Sequence, residues 1–162
     1  MASELRVDRI IPVNGVPTGG GGGIIQMKHS LATTGVTNST STWQSTGNSV
    51  TITPKSSTNY FYVFFEGHFA MNASQEQGFG INIYKDGTTL TTSPNDSTDR
   101  PYDFYKDETR IFTRMSKMYF GQTGTTNSVT FDVRFKSYQS QSVTFGWDSE
   151  TQGNLIVMEV SG

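Results

Sequence analysis

Apolar and polar residues alternate along most of the chain after residue 23, which is the period-two pattern of half-buried β-strands. Val129 to Lys136 is the clearest case, because Val and Phe occupy one face while Thr, Asp, Arg and Lys occupy the other. Ser49 to Thr53 alternates in the same way before Pro54, and so do residues 143–147. Leu155 to Val160 is almost entirely apolar, which predicts a central strand buried on both faces.

Turn signals separate these segments at the spacing expected of a β-sandwich. Gly80 to Lys85 is followed by Asp86-Gly87, a strong signal for a two-residue hairpin. No stretch of a dozen residues keeps a helical apolar period. The sequence therefore predicts an all-β protein, an antiparallel β-sandwich.

Asn59 to Ala70 is a long aromatic strand with two apolar faces. A strand in a two-sheet sandwich needs only one apolar face, so the second face is expected to pack on something else. A sister subunit is the favoured partner, and a covering loop of the same chain is the alternative. The core face is predicted to hold Phe61, Val63 and Phe65, and the subunit interface to hold Tyr60, Tyr62 and Phe64.

Residues 1–23 differ in composition from the rest and are interpreted as an extended arm, followed by a head domain at residues 24–162. The arm contains two prolines and ends in five consecutive glycines, Gly19 to Gly23, which suit a flexible joint. Its short apolar stretch is too small to bury itself and must pair with another surface. The predicted anchoring residues are Leu5, Val7, Ile10 and Ile11.

The composition and net charge exclude several classes of protein function. The chain has 162 residues, of which 33% are hydrophobic and 16% charged, while Ser and Thr make up about a quarter. No apolar run approaches membrane-spanning length and no secretory leader is seen, so we expect no membrane partner. The net charge of −2 offers no electrostatic footprint for nucleic acid. The lack of cysteine excludes disulfides, thiolate catalysis and zinc–thiolate sites.

Candidate catalytic residues are few. The two histidines, His29 and His68, lie on separate predicted strands, and no G-x-S-x-G elbow accompanies them. His68 is interpreted as a hydrogen-bonded structural residue. Gly19 to Gly23 lacks the Lys-Ser/Thr that follows in a phosphate-binding loop. We therefore expect no enzyme, no catalytic or metal site and no cofactor.

An acidic stretch, Asn95 to Thr109, contains five carboxylates whose spacing fits no EF-hand loop. Nearby basic residues almost balance its charge, so a solvated loop is the favoured interpretation over paired carboxylates for glycoside hydrolysis. Aromatic rings beside carboxylates are also suited to stacking on sugars or docking a protein. The candidate loop for a glycan or partner carries Tyr102, Phe104 and Tyr105.

Five segments together resemble a known family. Trp43 to Pro54 (WQSTGNSVTITP) is similar to the opening of head modules on bacteriophage tail fibres and other virion proteins. The aromatic strand at Asn59 to Ala70 and the hairpin Tyr84 to Thr88 (YKDGT) follow in the family's order. Leu155 to Val160 (LIVMEV) resembles its closing strand, and Ser3 to Ile10 (SELRVDRI) resembles the particle-attaching start of many phage virion proteins.

The resemblance implies a homotrimer with a TNF/C1q-like jelly-roll head and an arm that attaches to the particle. Only the glycine run separates arm and head, where typical fibres have a long shaft, and residues 95–109 match no family motif. This favours a capsid decoration or cement protein, or a short head- or tail-fibre knob, within a virion assembled in the host cytoplasm. The implied partners are the major capsid protein or tail and portal-vertex proteins. The alternative is a tail-fibre module that recognises a host-surface glycan.

Overall fold

The computed structural model of the chain describes residues 23–71, 77–91, 103–106, 111–138, 140–146 and 153–162. Within these residues the chain forms β-strands and no helix, which confirms the all-β prediction. The strands are β1 (Ile24–Ala32), β2 (Val36–Asn38), β3 (Gln44–Ile52), β4 (Tyr60–Met71), β5 (Gln77–Lys85), β6 (Thr88–Thr89), β7 (Phe104–Lys106), β8 (Ile111–Gln122), β9 (Val129–Ser137), β10 (Val143–Phe145) and β11 (Gly153–Val160).

A six-stranded antiparallel sheet is built around β4. Along one edge of β4, β8 pairs over its whole length, from Tyr60 opposite Gln122 to Met71 opposite Ile111. Along the other edge, β11 and β10 follow one after the other. Beyond them, β1 pairs with β11 and β2 pairs with β10. The strand with two apolar faces is therefore central in this sheet, while β1 and β8 lie at opposite edges, β1 beyond β11 and β8 directly beside β4.

A five-stranded antiparallel sheet covers one face of the first, and the two form a β-sandwich. Its order is β3, β9, β5, with β6 and β7 pairing with opposite ends of β5. The β5–β6 hairpin turns at Asp86 and Gly87, whose φ angles are 49° and 81°. Positive φ at both central residues is the type I′ geometry that Asp-Gly favours, so the predicted hairpin is confirmed.

Aromatic rings fill the space between the sheets. Phe61 on β4 meets Phe131 on β9 edge to face at 4.9 Å between ring centroids, and Phe69 stacks on Phe79 of β5 at 4.5 Å. Phe145 packs against Phe69 at 5.3 Å. These rings are at most 1% exposed, and Val and Ile side chains from both sheets surround them. Burial of this aromatic core is the dominant stabilising term for a chain that has no disulfide.

Two glycines make room for the Phe145 ring. Gly67 and Gly153 lie opposite each other on β4 and β11, and a Cβ on either would lie 2.6 Å from a carbon of that ring. No real Cβ contact is that short, so any side chain at these positions would displace a buried phenylalanine. Glycine is required here by packing rather than by backbone conformation.

The structure differs from the sequence-based expectation at Leu155–Val160. In β11, Leu155 and Val157 are fully buried, whereas Ile156, Met158 and Val160 are only half-buried. The strand is central, as predicted, but only one of its faces is buried within the chain. The reason is that no element of the described residues covers the outward side of the six-stranded sheet. The boundary between arm and head stays a prediction, because residues 1–22 lie outside the described residues.

Candidate functional site

Strand β4 divides its side chains between two environments. Phe61, Val63 and Phe65 point into the core and are fully buried, as the alternation predicts. The alternate residues Tyr60, Tyr62 and Phe64 point away from the core and stay half-buried, although the described chain places no element over them. The predicted interface residues therefore share one outward surface.

The neighbouring strands extend this surface across four strands of the six-stranded sheet. One row crosses four strands, from Met27 on β1 through Met158 and Tyr62 to Phe120 on β8. The next row is also apolar at its centre. We call the outward side of these four strands the outer face, and its members are Ile24, Met27, His29, Leu31, Tyr60, Tyr62, Phe64, Glu66, His68, Phe112, Arg114, Ser116, Met118, Phe120, Gln122, Asn154, Ile156, Met158 and Val160.

The outer face carries the exposed large apolar side chains of the described residues. They lie on its two flanking strands and are between 50% and 62% exposed: Ile24, Met27, Leu31, Phe112, Met118 and Phe120. Arg114 lies two residues from Phe112 on the same face of β8, whereas Lys28 and Lys117 lie on the inward side of their strands. A contiguous exposed apolar surface of this kind is typical of interaction sites.

Side-chain contacts between β4 and β8 order the rings of this surface. The Tyr60 and Phe120 rings stack with centroids 5.1 Å apart and planes only 3° from parallel. The Tyr62 hydroxyl donates to the Met118 sulfur at 3.1 Å. These contacts join β4 to β8, so the rings are already ordered before any partner binds. A preordered surface loses less side-chain entropy on association.

One end of the outer face is charged. Arg114 on β8 lies opposite His68 on β4, and its Nε donates to His68 Nε2 at 2.7 Å. The same guanidinium pairs with Glu66 through Nη1 and Oε1 at 2.9 Å. His68 is therefore hydrogen-bonded, as the sequence interpretation expects, and it forms part of a three-residue polar cluster beside an apolar surface.

A buried carboxylate fixes the strand that follows the predicted arm. Glu159 on β11 is fully buried, and Gln26 on β1 donates to its Oε2 at 2.5 Å. Its Oε1 accepts hydrogen bonds from Asn59 Nδ2 at 2.5 Å and from the backbone N–H groups of Lys55 and Ser56 at 2.8 and 3.4 Å. Burial alone would raise the pKa of Glu159, but the four hydrogen bonds outweigh it and lower the pKa.

The arm would begin beside this carboxylate. Gly23 accepts a backbone hydrogen bond from Ser161 at 3.0 Å, which joins the first described residue to the end of the chain. Gln26 also donates to the Thr53 carbonyl at 2.7 Å. Gly23 is therefore attached next to β1, the edge strand of the six-stranded sheet.

The second sheet presents a different outward surface. Trp43 and Tyr84 meet edge to face at 6.2 Å, and the Arg134 guanidinium lies 4.3 Å from the Tyr84 ring centroid. Arg134 donates to Asp132 at 2.6 Å, and this hydrogen bond raises the pKa of Arg134. Lys136 lies over the Trp43 ring at 5.0 Å. On the outward side of the five-stranded sheet, cationic side chains therefore lie over the aromatic rings. This surface is polar, in contrast to the apolar outer face of the six-stranded sheet.

Of the three aromatic side chains of the candidate glycan loop, the structure describes that of Phe104. Phe104 lies on β7, stacks on Phe79 at 5.9 Å and packs against the core. Its ring belongs to the sandwich because β7 pairs with the end of β5. Tyr105 pairs with Gly78 through the backbone, and its side chain lies outside the described part of the chain, as does Tyr102.

The predicted anchoring residues Leu5, Val7, Ile10 and Ile11 also lie outside the described residues. Sequence reasoning missed most of the outer face, including Met118 and Phe120. The alternation of apolar and polar residues along β8 is weak, because this strand has apolar residues on both of its sides.

No protein-family model matches the chain, and no curated protein matches it either. Within the described residues there is no helix of the length and apolar character needed to cross a membrane. In that same part of the chain, no three His, Asp or Glu side chains are grouped in a way that could hold a metal ion.

Proposed function

We propose that this chain is a non-enzymatic structural protein of a bacteriophage particle, which assembles as a homotrimer through its outer face. The observation that carries the proposal is the apolar outer face itself, which no described element of the chain covers. The resemblance of five segments to phage virion proteins supplies the biological setting. Capsid decoration or cement, or a short fibre knob, is the role that suits a head joined closely to its arm.

The strand order supports a TNF/C1q-like jelly roll as the type of sandwich. From β3 onward, the long strands alternate between the sheets: β3, β5 and β9 belong to the five-stranded sheet, and β4, β8 and β11 to the six-stranded sheet. The resulting orders are β1-β11-β4-β8 and β3-β9-β5. Such alternation is what two interlocked Greek keys produce.

The size of the outer face supports assembly between copies. A large apolar side chain that is half exposed contributes roughly 100 Å². Six of them, with the half-buried rings of β4 between them, give roughly 600 Å² or more. The largest apolar patch of a typical monomer is about 300–600 Å², and a standard interface buries about 800 Å² per partner. The outer face is therefore close to the size of a stable interface.

The arm completes the proposed architecture. Its root is fixed at the edge of the six-stranded sheet through Gly23 and Gln26. Residues 1–18 would reach a neighbouring coat or tail protein and add a strand to its sheet edge, with Leu5, Val7, Ile10 and Ile11 as side-chain anchors. Three arms on one trimer bind multivalently, so a modest affinity for each arm gives firm attachment.

Assembly is tested by placing charge on the outer face. We expect sedimentation equilibrium of the wild-type chain to give three times the 17.9 kDa mass of one chain. Phe120→Glu should give a folded monomer, because a carboxylate would then be buried against an apolar partner. The matched control is Thr51→Glu, on the exposed side of the five-stranded sheet, which should stay trimeric. A wild-type monomer at micromolar concentration would contradict the proposed assembly.

The role in the particle is tested by counting copies in purified virions. Abundance near that of the coat protein would support capsid decoration, and abundance near that of the portal would support a tail or vertex fitting. Deletion of residues 1–18 should leave a folded trimer that no longer joins particles. Absence of the wild-type chain from particles would contradict the structural role.

A further inference from the structure

The strand edges on the two sides of the sandwich are protected in different ways. On one side β1 and β3 lie next to each other, and side chains bind the backbone groups at their edges. Lys28 Nζ donates to the Thr51 carbonyl at 2.8 Å, and the Ser49 N–H donates to Ser30 Oγ at 3.3 Å. An edge strand with unpaired N–H and C=O groups is a template for pairing with another chain. These contacts therefore remove part of that template on the β1–β3 side.

On the other side, β8 is the edge strand of the six-stranded sheet. It pairs with β4 over 12 residues, and no described strand pairs with its second edge. Its inward side carries Ile111, Met115 and Tyr119, which pack against the core. Lys117 lies on the same inward side, between Met115 and Tyr119, and its side chain is only 14% exposed. A cation therefore interrupts the apolar side of a long edge strand.

The edge that faces β8 belongs to β5 of the five-stranded sheet. Strand β7 pairs with β5 as far as Phe79, and Asp103, just before β7, donates its N–H to the Phe79 carbonyl at 3.0 Å. The Asp103 carboxylate then accepts from the Ile81 N–H through Oδ2 at 2.6 Å. Farther along the same edge, the Ile83 N–H donates to Thr91 Oγ1 at 2.9 Å. Asp103 therefore fills the place on the β5 edge between β7 and the chain that follows β6.

One ion pair joins these two edges. Lys117 Nζ lies 2.7 Å from Asp103 Oδ1, and the Asp103 side chain is 11% exposed. The pair links β8 of one sheet to the start of β7 in the other. A buried ion pair adds little stability compared with apolar side chains of similar size, because both charges lose their hydration. Stability alone therefore does not account for a charged pair at this position.

We propose that the Lys117–Asp103 ion pair keeps the β8 and β5 edges from pairing with strands of other chains. A strand added to the β8 edge would extend the sheet past Lys117 and take its ammonium group further from water, which is costly for a charge. A strand added to β5 would displace Asp103 from the Ile81 N–H and separate Lys117 from this carboxylate. The protection does not depend on assembly through the outer face, because strand pairing at an edge is a separate contact.

The experiment removes both charges from the full chain and keeps its net charge of −2. Lys117→Met combined with Asp103→Asn retains similar side-chain sizes, and asparagine retains an oxygen that can accept from the Ile81 N–H. Urea unfolding should give a midpoint equal to or above that of wild type. In the same buffer, the double variant should form fibres that bind thioflavin T and sediment, while wild type stays clear. Lys55→Met removes an exposed cation from the loop before β4 and is the matched control, which should behave like wild type.

A conservative variant separates the charge from the shape of the side chain. Lys117→Arg keeps a cation that can reach Asp103, so it should form no fibres. Fibres in Lys117→Arg or Lys55→Met, or a folded double variant that stays as clear as wild type, would overturn the inference. A double variant that fails to fold, or whose urea midpoint is well below that of wild type, would also overturn it, because the ion pair would then act as a stabilising contact. A wild-type chain that sediments as a monomer would instead refute the proposed function and leave the comparison of fibre formation intact.

Discussion

Replacement of Glu159 by glutamine tests how much one buried carboxylate contributes to this fold. Glutamine keeps the size of the side chain and can place its carbonyl oxygen where Oε1 lies. It would then still accept from Asn59 and from the N–H groups of Lys55 and Ser56. Its amide nitrogen would take the position of Oε2, where it meets the Gln26 amide, which is also a donor.

Gln26 cannot simply turn over to relieve this conflict. Its amide donates both to Glu159 and to the Thr53 carbonyl, so rotation by 180° would bring two carbonyl oxygens together. A buried donor left without an acceptor costs about 1–3 kcal/mol, and the remaining hydrogen bonds lose the strength that a charged acceptor gives them. We therefore expect Glu159→Gln to lower the free energy of unfolding by about 2–4 kcal/mol at pH 7.

The assay is equilibrium unfolding in urea at one fixed protein concentration, because assembly would make the apparent stability depend on concentration. Glu66→Gln is the matched control. Its carboxylate is 37% exposed and pairs with an exposed arginine, so its loss should cost less than about 1 kcal/mol.

The pH dependence of the free energy of unfolding gives a second test, and the direction of the change can be stated in advance. The pKa of Glu159 is lowered in the folded chain from an ordinary value of 4.5. Its contribution to stability is therefore complete above that value and is lost as the pH falls through the folded pKa. The difference between wild type and Glu159→Gln should shrink below about pH 4.5. A difference under 0.5 kcal/mol at pH 7, roughly the scatter of surface substitutions, would refute the reasoning, as would one that persists unchanged to pH 3.

Two further substitutions test backbone and packing requirements. Gly67→Ala should lower the free energy of unfolding by about 1–3 kcal/mol, because its Cβ would lie 2.6 Å from the buried Phe145 ring; a thermal midpoint equal to that of wild type would contradict this. Gly87→Ala should cost about 1–2 kcal/mol in the same melting experiment, since its φ of 81° strains any L side chain, while an unchanged midpoint would argue against the type I′ turn.

Strands whose two sides differ in polarity could be predicted from the sequence. The β9 segment alternates Val or Phe with Thr, Asp, Arg and Lys. The alternation alone therefore predicts which side of β9 faces the core. The long strand β8 could not be read in this way. Met115 and Tyr119 face inward while Met118 and Phe120 face outward, and Lys117 points inward to pair with Asp103 at 2.7 Å. Mixed polarity on both sides removes the period-two signal.

The buried carboxylate could not be predicted for a different reason. Its hydrogen-bond partners are 100 or more residues away in sequence, so nothing near Glu159 shows which groups would stabilise a carboxylate in this strand. A glutamate in an apolar run is ordinarily assigned to the exposed side of a strand. Only the pairing of β11 with β1, together with the chain leading into β4, brings the donors to it.

The outer face could be predicted in part. The outward residues of β4 follow from the pattern of that strand, whereas the pairing of β4 with its neighbours does not. Tyr60, Tyr62 and Phe64 were predicted as an interface from β4 alone, since two apolar faces exceed what a sandwich needs. That β8 lies on one side of them and β11 on the other depends on long-range pairing, which local sequence does not encode. The pairing is what places Phe120 and Met158 beside Tyr62.

Because the inward residues of β4 are already buried within one chain, we expect folding and the proposed assembly to be separable. The inward residues of β4 are fully buried between the two sheets, and the outward residues contribute only stacking and half-buried contacts. A charge at Phe120 should therefore leave the folded chain intact while it prevents association, whereas Gly67→Ala should weaken folding without altering the outer face. His68 belongs with the first group, since its ring pairs with Arg114 at the surface rather than with the core. If substitutions on the two faces of β4 produced the same loss of folded chain, the outer face would be part of the fold and not a surface for other copies.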